Sequence, residues 1–516
     1  MLHNGVDIGD GTNRVRVAAG RFRRWCDSPT LRCPAHPDPV FPGPACPDPG
    51  IRAARHGRMA TAPCLPVVAL TETTVTHRIQ AWLLTPIRRP QATIFKNGEI
   101  DTVSSNTLIP TVRATRCPFD ADDDTVYRAL VRATEPLTET WERLQRARRI
   151  GIKFNQDKPP TRQVRYQGQL QQLVSTRVAR AVLRLLRERT SAELVCVDVS
   201  YYAMYEGTRP LETATVLPVL REYGGEYADG TQPPYSICAV PDGGRMFRRY
   251  MLPQPAVDVD EFVSVAKLKN HAFMGVTLTL KNLFGLMPGP PHNHGRHYYH
   301  HLVRMPYMLA DLGRILDPAL NVIDGLVGQA GQEWGDGKEQ GPPRVANALI
   351  AGDHTIATDA CAARLMGHDP QADWLTPPFH RDRNALKVAA EGGFGTVDPG
   401  QVDFSSELDG PLGEFFVRET DSREMVLSWR RTTCEQALHY RDHQDTLTRR
   451  FAGEYILLQE GQVRWHSPDS TLRRSRRLLA GSRPEQAMWL KYVDPDEVEG
   501  EHFEVYTAAL QAMPAS

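Results

Sequence analysis

The residues best suited to chemistry are concentrated in one stretch, between Lys267 and His301. It contains Lys267-Leu-Lys-Asn-His271, then Lys281-Asn-Leu-Phe-Gly285, then five histidines within ten residues. Lys267, Lys269, Lys281 and Arg296 gather positive charge near one loop, which suits an anionic group such as a carboxylate or a phosphate. The alternative is a set of solvated lysines on an exposed loop.

Lys281 is the residue that solvation explains least well, because it lies inside the otherwise apolar run Gly275–Leu286. A lysine in such a setting is either paired or has a depressed pKa, which makes it a candidate nucleophile or covalent anchor. We therefore predict that Lys281, His271 and Lys269 are catalytic.

The histidine cluster predicts a metal site. Neutral imidazole is a ligand for zinc, nickel, copper or iron. We expect ligands among His292, His294, His297 and His301, the last two of which would share a helix face at i and i+4. The alternative is a polar loop without metal.

Alternating strand and helix patterns must position these residues. Glu193–Asp198 is a short apolar run that ends in a carboxylate, and it follows a helix pattern that begins after Ser175. Such alternation predicts an α/β fold with a doubly wound, mainly parallel sheet, whose ligands bind at the carboxyl ends of the strands. We predict that substrate is bound there by polar side chains: Lys153, Asn155, Lys267, Asn282 and Asp324.

The chain divides into four predicted parts. Residues 1–58 are rich in proline and are expected to be a disordered or non-native extension. Residues 59–147 are expected to pack on the core, residues 148–410 to form the α/β domain, and residues 411–516 to form a small α+β accessory module. For this module we expect a role in binding or in homo-oligomerisation.

The composition excludes several classes of protein. Lys and Arg together number 61, as do Asp and Glu, so no bulk charge attracts nucleic acid or an anionic membrane. No apolar stretch approaches the length of a membrane span, and the cytoplasm is the expected location. The nine cysteines include no C-x-x-C pair, so no iron–sulfur cluster is expected.

The string K-L-K-N-H-x9-K-N-L-F-G-L, from Lys267 to Leu286, resembles the hallmark of the domain-of-unknown-function family 362. Three further stretches fit the same family: Ile150–Asn155, Val322–Gly325 and Gly352–Gly367. The resemblance spans about 148–410. Many relatives also carry ferredoxin cysteines, which this sequence lacks, and the family name itself says that no activity is established.

The spacing of His271, Lys281 and His297 is similar to that of three residues in the nickel-pincer lactate racemase family. This resemblance implies an acid/base role for His271, a cofactor anchor at Lys281 and a metal ligand at His297. Such a racemase needs a second histidine, and none lies between His77 and His271. This departure favours one-sided hydride or proton chemistry, or a different cofactor, over racemisation.

Two functions are consistent with these observations. The first is an enzyme, such as a metal-dependent oxidoreductase or isomerase, that acts on a small anionic molecule. It would use nickel, zinc or iron, or a metal-organic cofactor. The second is a non-catalytic metal- or ligand-binding protein. Metal analysis and a covalent increment on a peptide containing Lys281 discriminate between them.

Overall fold

A computed structural model describes residues 109–333, 341–419, 421–469, 479 and 488–514. Its central feature is a mixed sheet with strand order β13-β1-β12-β11-β9-β2-β5-β6, in which β10 pairs with β9. The strands of this sheet are β1 (Thr111–Arg116), β2 (Arg149–Phe154), β5 (Glu193–Asp198), β6 (Glu226–Asp229), β9 (Glu261–His271), β10 (Gly275–Thr277), β11 (Leu320–Gln329), β12 (Pro343–Gly352) and β13 (Asp403–Ser406).

The remaining strands form smaller sheets. The segments β3 (Arg165–Tyr166) and β4 (Gln169–Leu170) form one pair, and β7 (Tyr235–Ala239) and β8 (Arg249–Pro253) form another. The third small sheet is antiparallel and lies near the carboxyl terminus, with β14 (Tyr455–Gln459) between β15 (Gln462–Ser467) and β16 (Trp489–Tyr492).

Helices cover both faces of the central sheet, and β5 shows why. Leu194 and Cys196 contribute to one hydrophobic core, whereas Val195 and Val197 contribute to another. Successive side chains of a strand point to opposite faces, so a strand that is apolar at every position must be covered twice, as in parallel α/β sheets.

The first core packs the sheet against α1 (Asp123–Thr134), α2 (Thr138–Arg146), α3 (Thr176–Arg189) and α6 (Leu217–Glu222). Ser175 begins α3 as predicted, since its side chain accepts a hydrogen bond from the Val178 amide at 3.2 Å. The other helices are α4 (Tyr201–Glu206), α5 (Pro210–Thr213), α7 (Gln254–Val257), α8 (Thr279–Asn282), α9 (Arg296–Tyr299), α10 (Arg304–Leu316), α11 (Thr355–Leu365), α12 (Ala385–Glu391), α13 (Arg423–Asp442), α14 (Gln444–Phe451) and α15 (Glu504–Gln511).

The strands that position the site run parallel to one another. β2 pairs in parallel with both β5 and β9, and β9 pairs in parallel with β11. Their carboxyl ends therefore meet at one edge of the sheet, where ligands bind in open α/β folds. The chain turns back at this edge through the antiparallel pair of β9 and β10, in which Gly275 lies opposite His271, and then enters α8.

The carboxyl-terminal region shares a core with the α/β domain. Residues of α10 belong to the same hydrophobic cluster as Tyr455 in β14, Trp489 in β16 and Tyr506 in α15. An ion pair also connects the two regions: Arg304 of α10 lies 2.9 Å from Glu501, and both side chains are fully buried. Independent folding of residues 411–516 stays a prediction.

The predicted fold class is confirmed: a mainly parallel, helix-flanked sheet with a small antiparallel sheet near the carboxyl terminus. Tyr235–Ala239 lies outside the central sheet and forms the separate β7–β8 pair. Residues 1–58, for which disorder was predicted, lie outside the described residues. Within the described part of the chain, no helix combines the length and the apolar character that a membrane crossing requires.

Candidate functional site

A cavity of about 350 Å³ lies at the carboxyl edge of β2, β5 and β9. Its walls carry five basic side chains and three acidic ones, together with two histidines. These residues are Lys153, Lys158, Lys269, Lys281, Arg296, Asp157, Asp198, Glu333, His271 and His300. The excess of basic groups in a concave site attracts anions.

Lys281 enters this cavity from α8, the single turn of helix that follows β10. Its flanking residues Leu280 and Asn282 are buried, so the backbone is fixed while the amine faces the cavity. Among the described residues, its Nζ has no hydrogen bond or ion pair; its recorded contact is the Phe284 ring, 5.5 Å from Nζ to the centroid. Burial lowers the pKa of Lys281 to about 7; Glu333 opposes this shift, and Arg296 and Lys269 reinforce it.

His271 ends β9 in a defined hydrogen-bonding state. Its Nδ1 accepts hydrogen bonds from the amides of Phe273 and Met274, at 3.1 and 3.2 Å. Its Nε2 lies 2.7 Å from Oε1 of Glu333. Because Nδ1 is an acceptor, the proton of the neutral ring is on Nε2 and is donated to Glu333. Burial lowers the pKa of His271 to about 4, which agrees with a neutral ring.

Glu333 is the acidic partner that sequence reasoning did not identify. Burial alone would raise its pKa, but His271, Lys281 and Lys269 together lower it to about 2. The carboxylate also accepts the Ala272 amide at 3.3 Å. Glu333 lies 62 residues from His271 along the chain, and no local pattern connects the two.

Arg296 and His300 come from opposite ends of the short segment that contains α9. The Cζ atom of Arg296 lies 4.8 Å from the Phe284 ring centroid and 5.4 Å from that of Tyr201, distances at which a cation is attracted to an aromatic ring. The His300 ring lies 4.8 Å from the Phe284 centroid and 5.9 Å from the His271 centroid. Burial, then the nearby charges of Lys281 and Arg296, lower the pKa of His300 well below its usual value.

Lys153 and Lys269 line the cavity but are engaged by the protein. The Nζ of Lys153 lies 3.0 Å from Oδ1 of Asp198, and it donates to the Phe154 carbonyl at 2.6 Å. Lys269 donates to the Gln172 carbonyl at 3.0 Å; burial lowers its pKa to about 8. Burial also raises the pKa of Asp198 to about 6, although Lys153 acts against this shift.

The packing around Gly285 explains why the hallmark string has a glycine at this position. A Cβ atom at this position would lie 2.5 Å from Cε of Lys153 and 2.9 Å from its Nζ. The lysine side chain thus occupies the space that any larger residue would need. The motif Lys281–Gly285 therefore supplies both the cavity amine and the room for a second cation.

Asn155 and Asn282 also line the cavity. The side-chain amide of Asn282 donates to the carbonyls of Lys153 and Val265, at 2.9 and 3.2 Å, and lies 3.1 Å from the Ser264 hydroxyl. These contacts fasten α8 to β2 and β9. Asn282 thereby fixes the position of the helical turn that contains Lys281.

Lys267 and Asp324, predicted to bind substrate, are not among the residues that line the cavity. They form an ion pair at 3.0 Å between β9 and β11, and both side chains are fully buried. Asp324 also accepts the amides of Ser175, at 2.7 Å, and Leu326, at 3.1 Å. These contacts fit a role in holding the sheet to the start of α3.

The four histidines predicted as metal ligands do not meet at one point. His294 lies 2.6 Å from Glu499 and 2.6 Å from the Tyr455 hydroxyl, and His301 lies 3.1 Å from the Met488 carbonyl. His292 and His294 both line a second cavity, and none of the four histidines lines the Lys281 cavity. In the described ranges, no three His, Cys, Asp or Glu side chains are grouped so that they could hold a metal ion.

The donor set of the described residues therefore does not fit the predicted metal. The imidazoles of His294 and His301 are used in contacts with the carboxyl-terminal region. Those of His271 and His300 lie in the cavity, but the nitrogens of His271 are already hydrogen-bonded. We derive no chemical step through a metal.

Fold and site together define an α/β protein with a basic cavity at the carboxyl edge of its sheet. Residues 158–364 match the family model described as "Domain of unknown function (DUF362)", which confirms the resemblance seen in the hallmark string. The matched segment is shorter than the predicted span of 148–410. It contains Lys281, His271 and Glu333, whereas Lys153 and Asn155 precede it.

Proteins that are similar to parts of this chain include one from Synechocystis and one of solved structure. A thylakoid-associated protein of Synechocystis sp. is 27% identical over 169 residues, which are 32% of this chain and 46% of that protein. The chain thus spans about half the length of this relative. The lactate racemase apoprotein from Thermoanaerobacterium thermosaccharolyticum aligns at a TM-score of 0.29 and 13% identity, over 50% of this chain and 56% of that one.

Proposed function

We propose that this chain is an enzyme that binds a small anionic molecule, bearing a carboxylate or a phosphate, with Lys281 as its reactive group. The observation that carries the proposal is the Lys281 amine, which faces a basic cavity without a hydrogen bond or ion pair among the described residues. The predicted cytoplasmic location belongs to this proposal as well.

The cavity distinguishes two kinds of cation. Lys153 is neutralised by Asp198 and Lys269 is bonded to a carbonyl. By contrast, Lys281 and Arg296 have neither an ion pair nor a side-chain hydrogen bond in the described part of the chain, and their recorded contacts are with aromatic rings. An entering anion gains most from charges that have no partner of their own, because it displaces no existing ion pair.

Proton transfer in this site would use the cavity histidines. His271 donates its Nε2 proton to Glu333 and is fixed by two backbone amides, so it can pass a proton only if the contact with Glu333 changes. The neutral His300 ring lies beside Phe284, and no hydrogen bond is recorded for it within the described residues. Because the pKa of His300 is lowered well below its usual value, we assign to this ring the role of a transient proton relay that returns the proton it takes.

The binding part of the proposal is tested by thermal unfolding of the full chain with inorganic phosphate, propionate or glycerol. Both anions should raise the Tm, and uncharged glycerol at the same concentration should not. Lys281→Met and Arg296→Gln should each weaken anion binding about 10- to 100-fold, since a hydrogen bond to a charged group contributes about 1.5–3 kcal/mol. Lys387→Met and Arg423→Gln alter side chains outside the cavity and serve as matched controls.

Two outcomes contradict the proposal. Equal stabilisation of wild type and both cavity variants would place the anion elsewhere. Anion binding at the cavity combined with a Lys281 amine of ordinary reactivity would favour the alternative, a protein that binds its ligand without catalysis.

A further inference from the structure

Among the described residues, the side chains of Lys281 and Arg296 form no ion pair, and both lie near one aromatic ring. The Lys281 Nζ lies 5.5 Å from the Phe284 centroid, and the Arg296 Cζ lies 4.8 Å from the same centroid. The His300 ring is also 4.8 Å from it. An amine, a guanidinium and an imidazole therefore lie near one ring, and all three residues line the same cavity.

Arg296 is suited to recognise a carboxylate. Its guanidinium lies within cation–π distance of Phe284 and Tyr201, and in the described part of the chain its N–H donors form no side-chain hydrogen bond. A planar guanidinium binds a carboxylate through two parallel hydrogen bonds, which a lysine ammonium cannot do. Arg296 can thus bind a carboxylate, while the Lys281 amine is placed to react with the same molecule.

The proposed function implies a reactive amine and an anion, and on that basis the substrate class can be narrowed. We propose that Lys281 forms a Schiff base with the carbonyl carbon of a small α-oxo acid whose carboxylate is bound by Arg296. A cavity of about 350 Å³ is near the lower end of the range for ligand sites, about 300–1,000 Å³, and suits a molecule of a few carbons.

The reaction balances without an oxidant or a reductant. The neutral Lys281 amine forms a bond from nitrogen to the carbonyl carbon, and the π electron pair moves to oxygen, which takes up one proton from the solvent. His300 accepts the proton that nitrogen loses and returns it to the hydroxyl, so that the C–O bond breaks and water leaves. The product is an iminium ion on Lys281, which withdraws electrons from the adjacent carbon.

The surrounding charges support each stage of this reaction. The lowered pKa of Lys281, about 7, leaves a large share of the amine unprotonated near neutrality. Glu333, whose pKa is held at about 2, is ionised and stabilises the positive charge of the iminium ion. His271 holds Glu333 in place at 2.7 Å, which makes His271 a positioning residue.

Trapping with sodium cyanoborohydride tests the proposal in the full chain, with three probes of equal carbon number. Pyruvate has both a carbonyl and a carboxylate, acetone has only the carbonyl, and propionate has only the carboxylate. We expect one reduced pyruvate adduct per chain, located on Lys281 by peptide mass spectrometry. Acetone should react more slowly, and propionate should give no adduct but compete with pyruvate.

Variants separate the two parts of the site. Lys281→Met should abolish the adduct, and Lys387→Arg, which alters a lysine outside the cavity, should leave it unchanged. Arg296→Gln should slow trapping of pyruvate about 10-fold or more relative to acetone, because only pyruvate uses the guanidinium. Continued trapping of acetone on Lys281 shows that this variant retains its fold.

Three other outcomes of these experiments would each contradict a specific part of the proposal. If pyruvate raises the Tm through Lys281 and Arg296 but is not trapped, the Schiff base is wrong and the anion-binding function stands. If pyruvate is trapped equally on Lys281 and Lys387, Lys281 has no special role. If neither pyruvate nor phosphate binds in the cavity, the proposed function and the Schiff base both fail.

Discussion

Selective acylation of Lys281 near neutral pH is the most direct consequence of the site geometry. Burial and the neighbouring Arg296 lower its pKa from 10.5 to about 7. Near pH 7 the unprotonated fraction then rises from about 0.03% to about one half, an increase of roughly three orders of magnitude. A weaker base is also a weaker nucleophile, and with a Brønsted slope of ~0.4–0.5, as for thiols, the net gain is about 10- to 100-fold.

The assay is brief labelling with limiting acetic anhydride between about pH 5 and pH 10, followed by peptide mass spectrometry. The rate at Lys281 is compared with the rate at Lys387, whose amine lies at the surface beside the Gln371 carbonyl, at 3.2 Å. We expect the rate at Lys281 to rise as pH increases and to level off above the midpoint near its pKa of about 7. Once the amine is unprotonated, further base adds nothing.

Substitutions of its neighbours should move this midpoint in opposite directions. Glu333 raises the pKa of Lys281 and Arg296 lowers it. Glu333→Gln should therefore shift the midpoint to lower pH, and Arg296→Gln should shift it to higher pH. A midpoint near that of Lys387, or one that neither variant moves, would refute the reasoning that connects cavity charge to Lys281.

Two substitutions test the framework of the site. Asp324→Asn leaves the fully buried Lys267 ammonium without its counter-charge and should lower the free energy of unfolding, measured in urea, by about 3–5 kcal/mol. The control Asp403→Asn removes a surface ion pair and should lower it by less than about 1 kcal/mol. Equal losses of stability in the two variants would contradict a structural role for the buried pair. Gly285→Ala places a methyl group against Lys153 and should destabilise the fold by about 1–3 kcal/mol. An unchanged urea midpoint would contradict this, because it would show that the lysine side chain moves aside without cost.

Local patterns predicted much of the fold. Apolar runs such as Glu193–Asp198 indicated buried strands, and Ser175 indicated the start of α3, because hydrophobic periodicity and helix capping depend on neighbours along the chain. The same runs could not show that β7 and β8 form a pair of their own, since strand partners are chosen by tertiary packing. The same runs could not show that the carboxyl-terminal region shares a core with α10, since this packing joins segments that are distant along the chain.

The candidate site divides in the same way. Sequence alone singled out Lys281, because a charged side chain within an apolar run is unusual. In the structure, this side chain lines a cavity. Lys267, predicted to bind substrate, is paired with Asp324, because β11 lies beside β9 in the sheet. The histidine cluster suggested metal, whereas His294 and His301 contact residues beyond position 450 that no local pattern connects to them.

The sequence by itself thus determined which residue types are available at the carboxyl edge of the sheet and which lysine is unusual. Only the tertiary structure decided which charges meet. Glu333 reaches His271 across 62 residues of chain, and a short helical segment brings Arg296 and His300 to the Phe284 ring, which Lys281 also contacts. Electrostatic interactions depend on distance and burial in space, so the chemistry of the Lys281 amine is a property of the folded cavity.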